Sequence, residues 1–286
     1  MKHLIAVCAA VLLSSVSYGQ WQVSASSGLA FGSATMKLGE RVNASDTENS
    51  YGSYGEGVNF QLRGTYFFDE SFGVDLGVGY LKGTDQDVSI VDLPSTEVNA
   101  IARARAFGAS ASVVYKFTNN IYGRFGALIK LGGKTEGVIY QKSVFSEAEA
   151  EAFGVPNGSY SETNYKEDFH GHFPLGFVGA LGYKYDLDSN FSLFAEVEYY
   201  GISLKRKDSE ISEFNTDVKL PDGTVAVSGL YTIDNLPEGI NRNTTYVDEL
   251  SNTNTDTTQE LSQKVPYSSF GLNIGVTYKF AKASKE

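Results

Sequence analysis

Hydrophobic and polar residues alternate with a period of two along much of this chain. In Phe72-Gly73-Val74-Asp75-Leu76-Gly77-Val78-Gly79-Tyr80, the side chains of Phe72, Val74, Leu76, Val78 and Tyr80 share one face, and Gly73, Asp75, Gly77 and Gly79 share the other. That is the pattern of a strand with one apolar side. The same alternation recurs in Trp21 to Gly32, Val58 to Phe68, Phe107 to Phe117, Ile121 to Leu131, Phe169 to Tyr185, Phe191 to Tyr200 and Phe270 to Phe280. Each segment is long enough to cross a hydrocarbon core, which takes about 9–11 residues tilted near 45°.

Charge placement gives these strands an inside and an outside. Arg63, Asp75, Lys116, Arg124, Lys130, Lys184, Glu196, Glu198 and Lys279 all fall on the small and polar parity, none on the apolar one. A soluble two-sheet sandwich also alternates, and it would turn the charges to solvent and the apolar face to its core. Glycine on the polar parity and aromatics at the strand ends favour the inverse arrangement, with lipid outside and a narrow polar lumen inside.

The connections set the strand count. Three are short and share one design, aromatics flanking a tight polar turn: Phe67-Phe68-Asp69-Glu70-Ser71-Phe72, Phe117-Thr118-Asn119-Asn120-Ile121-Tyr122 and Tyr185-Asp186-Leu187-Asp188-Ser189-Asn190-Phe191. As periplasmic hairpins, together with two periplasmic termini, they give eight strands. The expected fold is therefore all-β, an eight-stranded antiparallel transmembrane β-barrel with long extracellular loops. Those loops would span residues 34–57, 83–106, 132–168 and 206–264. The last contains a further hairpin signal, Phe214 to Leu220, Pro221-Asp222-Gly223, then Thr224 to Asp234. Its turn lacks aromatic borders, so an exposed hairpin above the barrel is preferred to a ten-stranded barrel.

Composition narrows the picture. The chain has 286 residues and a formal charge of −11, with 30 Gly, 18 Phe and 18 Tyr. The acidic balance argues against a nucleic-acid partner, and the aromatic content argues against disorder. Met1-Lys2-His3, an apolar run from Leu4 to Leu13, and small residues at Ser17 and Gly19 read as a secretory signal peptide over residues 1–19. The expected organisation is that leader, a barrel over 20–280 and a short tail over 281–286. Cys8, the one cysteine, lies in the leader, so no disulfide, thiol nucleophile or Cys-ligated metal is expected in the mature protein. After Leu13 no run of 18 apolar residues suits a transmembrane helix.

With this alternation, these turns and the final segment Ser269-Phe270-Gly271-Leu272-Asn273-Ile274-Gly275-Val276-Thr277-Tyr278-Lys279-Phe280, the chain resembles the OmpA/OmpX/OmpW-like, or porin-family, outer-membrane β-barrel proteins of Gram-negative bacteria. The resemblance spans Gln20 to Phe280. It implies residence in the cell outer membrane, with lipid and lipopolysaccharide around the barrel. It also implies recognition of the aromatic-ended last strand by the barrel assembly machinery. Family members usually stop at that terminal aromatic, whereas Ala281 to Glu286 follow here, too few residues for a peptidoglycan-binding domain.

Candidate chemistry is sparse. Arg63, Asp75, Arg124, Glu196 and Glu198 lie a few residues above the periplasmic turns on the lumen parity and are expected to meet as a lumen charge network. It would serve as polar packing or, alternatively, as a gated ion path. His170 and His172 share a parity, but no third metal ligand is spaced with them. Lipid A deacylases, barrels of similar size, use a His and a Ser on a strand; i+2 from His170 is His172, and from His172 it is Pro174. No catalytic residue, metal or cofactor is therefore assigned.

Net charges of −2 for residues 34–57, −3 for 83–103, −4 for 132–168 and −6 for 206–264 make an acidic crown that could take up divalent cations or surface partners. The resulting expectation is a non-enzymatic barrel acting in envelope integrity or surface interaction. The alternatives are a narrow gated channel for small or hydrophobic solutes and a lipid-modifying barrel enzyme.

Overall fold

A computed structural model describes residues 20–280. Its strands are, in chain order, β1 (Gln20–Gly32), β2 (Met36–Asn43), β3 (Thr47–Gly52), β4 (Gly57–Phe67), β5 (Phe72–Gly83), β6 (Gln86–Leu93), β7 (Thr96–Lys116) and β8 (Ile121–Val144). They continue with β9 (Tyr160–Gly171), β10 (Leu175–Asp186), β11 (Phe191–Gly201), β12 (Ser203–Lys219), β13 (Val225–Thr232), β14 (Asn243–Val247), β15 (Gln259–Leu261), β16 (Lys264–Pro266) and β17 (Ser269–Lys279). One short helix, α1 (Glu147–Phe153), lies between β8 and β9. The expected leader and C-terminal tail lie outside the described residues.

Eight of these strands close on themselves. β1 pairs with β4, β4 with β5, β5 with β7, β7 with β8, β8 with β10, β10 with β11, β11 with β17, and β17 returns to β1, all antiparallel. Closure leaves no sheet edge in this ring, which is what a hydrocarbon surround demands of backbone N–H and C=O groups. The burial pattern is inverted relative to a soluble sheet. Leu76, Phe125 and Ile274 on the outer face are 65%, 65% and 73% exposed, while Arg124, Glu196 and Glu198 on the inner face are 4%, 2% and 1% exposed. Such a surface is stable against lipid and not against water, so the sandwich alternative falls away.

The three periplasmic hairpins are built alike. The N–H groups of Phe68, Phe117 and Leu187 donate to the carbonyls of Phe72, Ile121 and Phe191, each at 2.9 Å. Inside each turn a side-chain oxygen accepts two backbone N–H bonds. Asp69 Oδ1 takes Ser71 and Phe72, Thr118 Oγ1 takes Asn120 and Ile121, and Asp188 Oδ1 takes Asn190 and Phe191. These N–H bonds hold the Asp69 and Asp188 carboxyls below their usual range.

Above the membrane the long connections are not irregular loops. β7 and β8 run 21 and 24 residues without interruption and change partners midway, β7 from β5 to β6 and β8 from β10 to β9. β9 then pairs with β12, β12 with β13, β6 with β2 and β2 with β3, so the same sheet continues above the barrel. The hairpin around Pro221-Asp222-Gly223 is the β12–β13 connection in that upper part of the sheet, so it contributes nothing to the strand count. In α1, Ser146 and Glu149 form the capping box their spacing predicts, and Gly154 ends the helix in the left-handed region at φ 65°.

Besides the upward extension of β7 and β8, a further strand boundary differs from the sequence expectation. The segment Phe169 to Tyr185 is not a single strand, because it is interrupted at His172, Phe173 and Pro174 between β9 and β10. Proline has no N–H to give a ladder and restricts the residue before it. His170 consequently sits in the extracellular sheet, where Nδ1 is 2.9 Å from Asp208 Oδ1, and the backbone N–H of His172 bonds Lys205 O at 2.9 Å.

Candidate functional site

The lumen is layered. Toward the periplasm lies a charge lock built by alternate residues of three strands, because only every second residue of a strand faces inward. Arg63 of β4 donates through Nη1 to both carboxylate oxygens of Glu196 of β11, at 2.9 and 2.7 Å. Tyr122 Oη of β8 donates to Glu196 Oε1 at 2.8 Å, and Arg124 approaches the same carboxylate at 3.4 Å. Arg124 Nη2 also pairs with Glu198, which further accepts from Gln61 Nε2 at 2.5 Å. Gln61 Nε2 reaches Tyr200 Oη at 2.8 Å, and the Arg63 guanidinium lies over the Phe194 ring at 5.1 Å.

Two arginines therefore face two glutamates across the barrel. Of the five expected members, four are in direct contact. Asp75 is not: it accepts from Thr65 Oγ1 at 2.7 Å and lies within Coulombic reach of Arg63. Gln61, Tyr122 and Tyr200 complete the lock. Nothing in their residue type announced them, although their parity and level in the strands match those of the charged members.

Above the lock is a cavity of about 110 Å³ with an overwhelmingly apolar lining, including Leu81, Leu128, Tyr200, Ile202 and Leu204. It exists because the adjacent lumen positions of β5 and β7 are Gly77, Gly79 and Gly108, which project no side chain. Its roof is a cluster of Tyr54, Ala102, Ala104, Ile202, Leu204, Val265 and Tyr267. Tyr267 Oη and Thr135 Oγ1 lie 2.5 Å apart, and Ser268 Oγ bonds both N–H and C=O of Ile202 at 3.1 Å. The plug thus comes from the extracellular connections folding back over the barrel mouth, which a reading of strand periodicity has no means to see.

In the extracellular sheet, Arg206 is stacked between Phe169 at 4.7 Å and Tyr246 at 5.8 Å. Partial burial holds the neighbouring Glu167 carboxyl above its usual value, opposed by the Ser209 hydroxyl and by Arg206. Among the described residues, no three His, Cys, Asp or Glu side chains are grouped to hold a metal ion, and no helix is long and apolar enough to cross a membrane.

The outer membrane protein beta-barrel domain family matches residues 6–220. Similar solved structures include the attachment invasion locus protein Ail of Yersinia pestis, at 10% identity and TM-score 0.32, covering 92% of this chain and 99% of that one. OprG of Pseudomonas aeruginosa gives 13% identity and TM-score 0.38, covering 92% and 97%. A major outer membrane protein of Thermus thermophilus gives 13% identity and TM-score 0.39, covering 92% and 99%. No curated protein sequence matches with significance. With a closed ring of eight strands, an apolar outer wall, a polar lumen and a family match over three quarters of its length, the chain belongs to the outer membrane protein beta-barrel domain family and resides in the cell outer membrane.

Proposed function

We propose that this is a non-enzymatic barrel whose work is done on the cell surface, through the acidic sheet that stands above the membrane. The observation that carries the reading is the length of β7 and β8. A crossing takes about 9–11 residues, and these strands continue unbroken for 21 and 24. A rigid sheet of that height serves no purpose in spanning lipid. Its charge is acidic in every connection, which suits a basic partner. The lumen below it is occupied by the Arg63, Arg124, Glu196 and Glu198 lock, and an eight-stranded barrel has no width to spare for an aqueous path.

Vesicles carrying the protein are expected to retain polylysine in low salt and to release it in high salt. A variant with Glu210, Glu213 and Asp217 changed to the matching amides is expected to retain less. Equal retention by both would remove the sheet as the interaction surface. In planar bilayers neither protein is expected to show a steady porin-like conductance.

The apolar cavity supports a second reading, a narrow gated path for small hydrophobic solutes, in which the cavity is a resting point between plug and lock. Filling it with Gly108→Val would then abolish saturable binding of a small apolar fluorophore. Unchanged binding would dismiss that reading.

A further inference from the structure

The outer wall carries a basic pair that the barrel itself leaves unneutralised. Lys82 of β5 stands directly opposite Arg105 of β7, and Arg105 directly opposite Lys134 of β8, all on the outward parity. Like charges facing each other across a ladder are destabilising. Lys134 is relieved by Asp168 at 2.7 Å, and Arg103, one outward position above Arg105, by Glu136 at 2.8 Å and Asp85 at 3.5 Å. Among the described residues, Lys82 and Arg105 have no acidic partner. Arg105 is nevertheless held in place, because its Nη1 donates to Gly83 O at 2.9 Å and Ala104 O at 2.8 Å. Those bonds use one corner of the guanidinium and leave Nε and Nη2 for a ligand.

The height of the pair identifies what could neutralise it. Lys82 is ten residues above Phe72, the first residue after the periplasmic turn. At ~3.3 Å per residue and a tilt near 40°, that is about 25 Å along the membrane normal, the height of the apolar band of an outer-membrane barrel. Immediately below lie Tyr80 and Phe107, with ring centroids 4.7 Å apart, and Phe60 opposite Tyr80. These rings form the outer aromatic girdle. Lys82 and Arg105 therefore sit at the level of the outer-leaflet head groups, on a molecule whose extracellular connections are otherwise acidic.

We propose that Lys82 and Arg105 clamp a phosphate of an outer-leaflet lipid A, with the acyl chains lying against the girdle. A guanidinium edge binds phosphate bidentately and a lysine adds a point charge, so each supplies a charge-assisted bond. The site rests on the chain's residence in the outer membrane and is independent of what the extracellular sheet binds.

The test is retention of lipid by the full-length protein, refolded in neutral detergent and measured by native mass spectrometry with three probes: bisphosphorylated lipid A, the same lipid A dephosphorylated, and inorganic phosphate. Wild type is expected to hold one phosphorylated lipid A much more tightly than the dephosphorylated form. Lys82→Gln with Arg105→Gln is expected to weaken it about ten- to hundredfold, as for loss of hydrogen bonds to a charged group. Lys134→Gln should have a smaller effect. Equal binding of the two lipids, or an unchanged affinity in the double variant, would overturn the clamp. Displacement of lipid A by millimolar inorganic phosphate would overturn its assignment to lipid. Heat-modifiable gel migration verifies folding of each variant, and Lys82→Gln alone serves if the double variant does not fold.

Discussion

Glu196→Gln is the substitution that most directly tests the charge lock. The Glu196 side chain is fully buried and faces two cations, Arg63 at 2.7 Å and Arg124 at 3.4 Å, with Tyr122 Oη at 2.8 Å. Gln keeps the volume and an acceptor for Tyr122 but removes the charge. Arg63 and Arg124 are then left with Glu198 and the more distant Asp75. At an effective dielectric near 20, one unit pair 4 Å apart is worth about 4 kcal/mol, and stranding one partner of a buried pair typically costs about 3–5 kcal/mol. A destabilisation in that range is expected.

Trp21, the only tryptophan, is on the lipid face near the periplasmic end and packs 4.9 Å from Tyr66, so its fluorescence reports urea unfolding in vesicles. Lys279→Gln is the reference. It breaks the 2.6 Å pair with Asp186 at the lumen rim, where Asp186 is 51% exposed, and a pair reached by solvent contributes only about 0–1 kcal/mol. Adding Arg63→Met to Glu196→Gln should recover part of the loss, since it removes the stranded cation. A Glu196→Gln midpoint equal to wild type, a larger loss in Lys279→Gln, or a double variant worse than the sum of its parts would each refute the lock as an energetic unit.

Facing is tested by Leu76→Arg, which puts a charge on the lipid side at a cost of roughly 2–4 kcal/mol near the midplane. Its heat-modifiable band should fail to form while Ser112→Ala, which removes a buried hydroxyl on the lumen side, folds normally. Gly133→Ala places a side chain at φ 94° and against the Arg105 carbonyl, so a loss of about 1–3 kcal/mol is expected in the same urea assay. Glu167 has a pKa raised chiefly by burial. Its contribution to stability is therefore complete below the unfolded value of about 4.3 and lost as pH rises through the folded one. Glu167→Gln should raise hydrogen-exchange protection of β9 amides at neutral pH and flatten the change in protection on acidification. Lower protection in the variant at neutral pH would reverse the assignment.

The parts of this molecule visible in the sequence are those set by period two and by local turn chemistry. Phe72 to Tyr80 alternates because one face meets lipid and the other the lumen, and that constraint acts on each residue separately. The hairpin turns could be read because Asp69, Thr118 and Asp188 satisfy N–H groups only two and three residues away. The lock was half visible: parity and level placed Arg63, Arg124, Glu196 and Glu198 together, but partner choice depends on which strands face each other across the ring. Asp75 shares their parity, yet its side chain meets Thr65 on the adjacent strand rather than crossing to β11. The plug was not legible at all, since Tyr54, Ala104, and Ile202 with Tyr267 come from three stretches above the barrel that are far apart in the chain. Phe169 to Tyr185 looked continuous because apolar residues continue through the interruption, while Pro174 ends the ladder.

The lock also bears on how the barrel selects its register. Apolar side chains on the outer wall are nearly indifferent to sliding, because lipid contacts one leucine much as it contacts the next. A slip of one residue in β11 would carry Glu196 and Glu198 from the lumen to the lipid face and bring Val197 and Leu193 inward. Each carboxylate so exposed costs about 2.5–3.5 kcal/mol near the bilayer centre on insertion scales, before the lost pairs with Arg63 and Arg124 are counted. A two-residue slip toward the periplasm keeps the parity but sets Glu198 where Glu196 meets Tyr122 and Arg63, lowers Glu196 to the level of Phe194, and leaves Tyr200 where Glu198 meets Arg124. The buried ion pairs need not add net stability over a well-packed apolar lumen to be retained. Their effect is to make every register but one expensive, which a greasy outer wall has no means of doing.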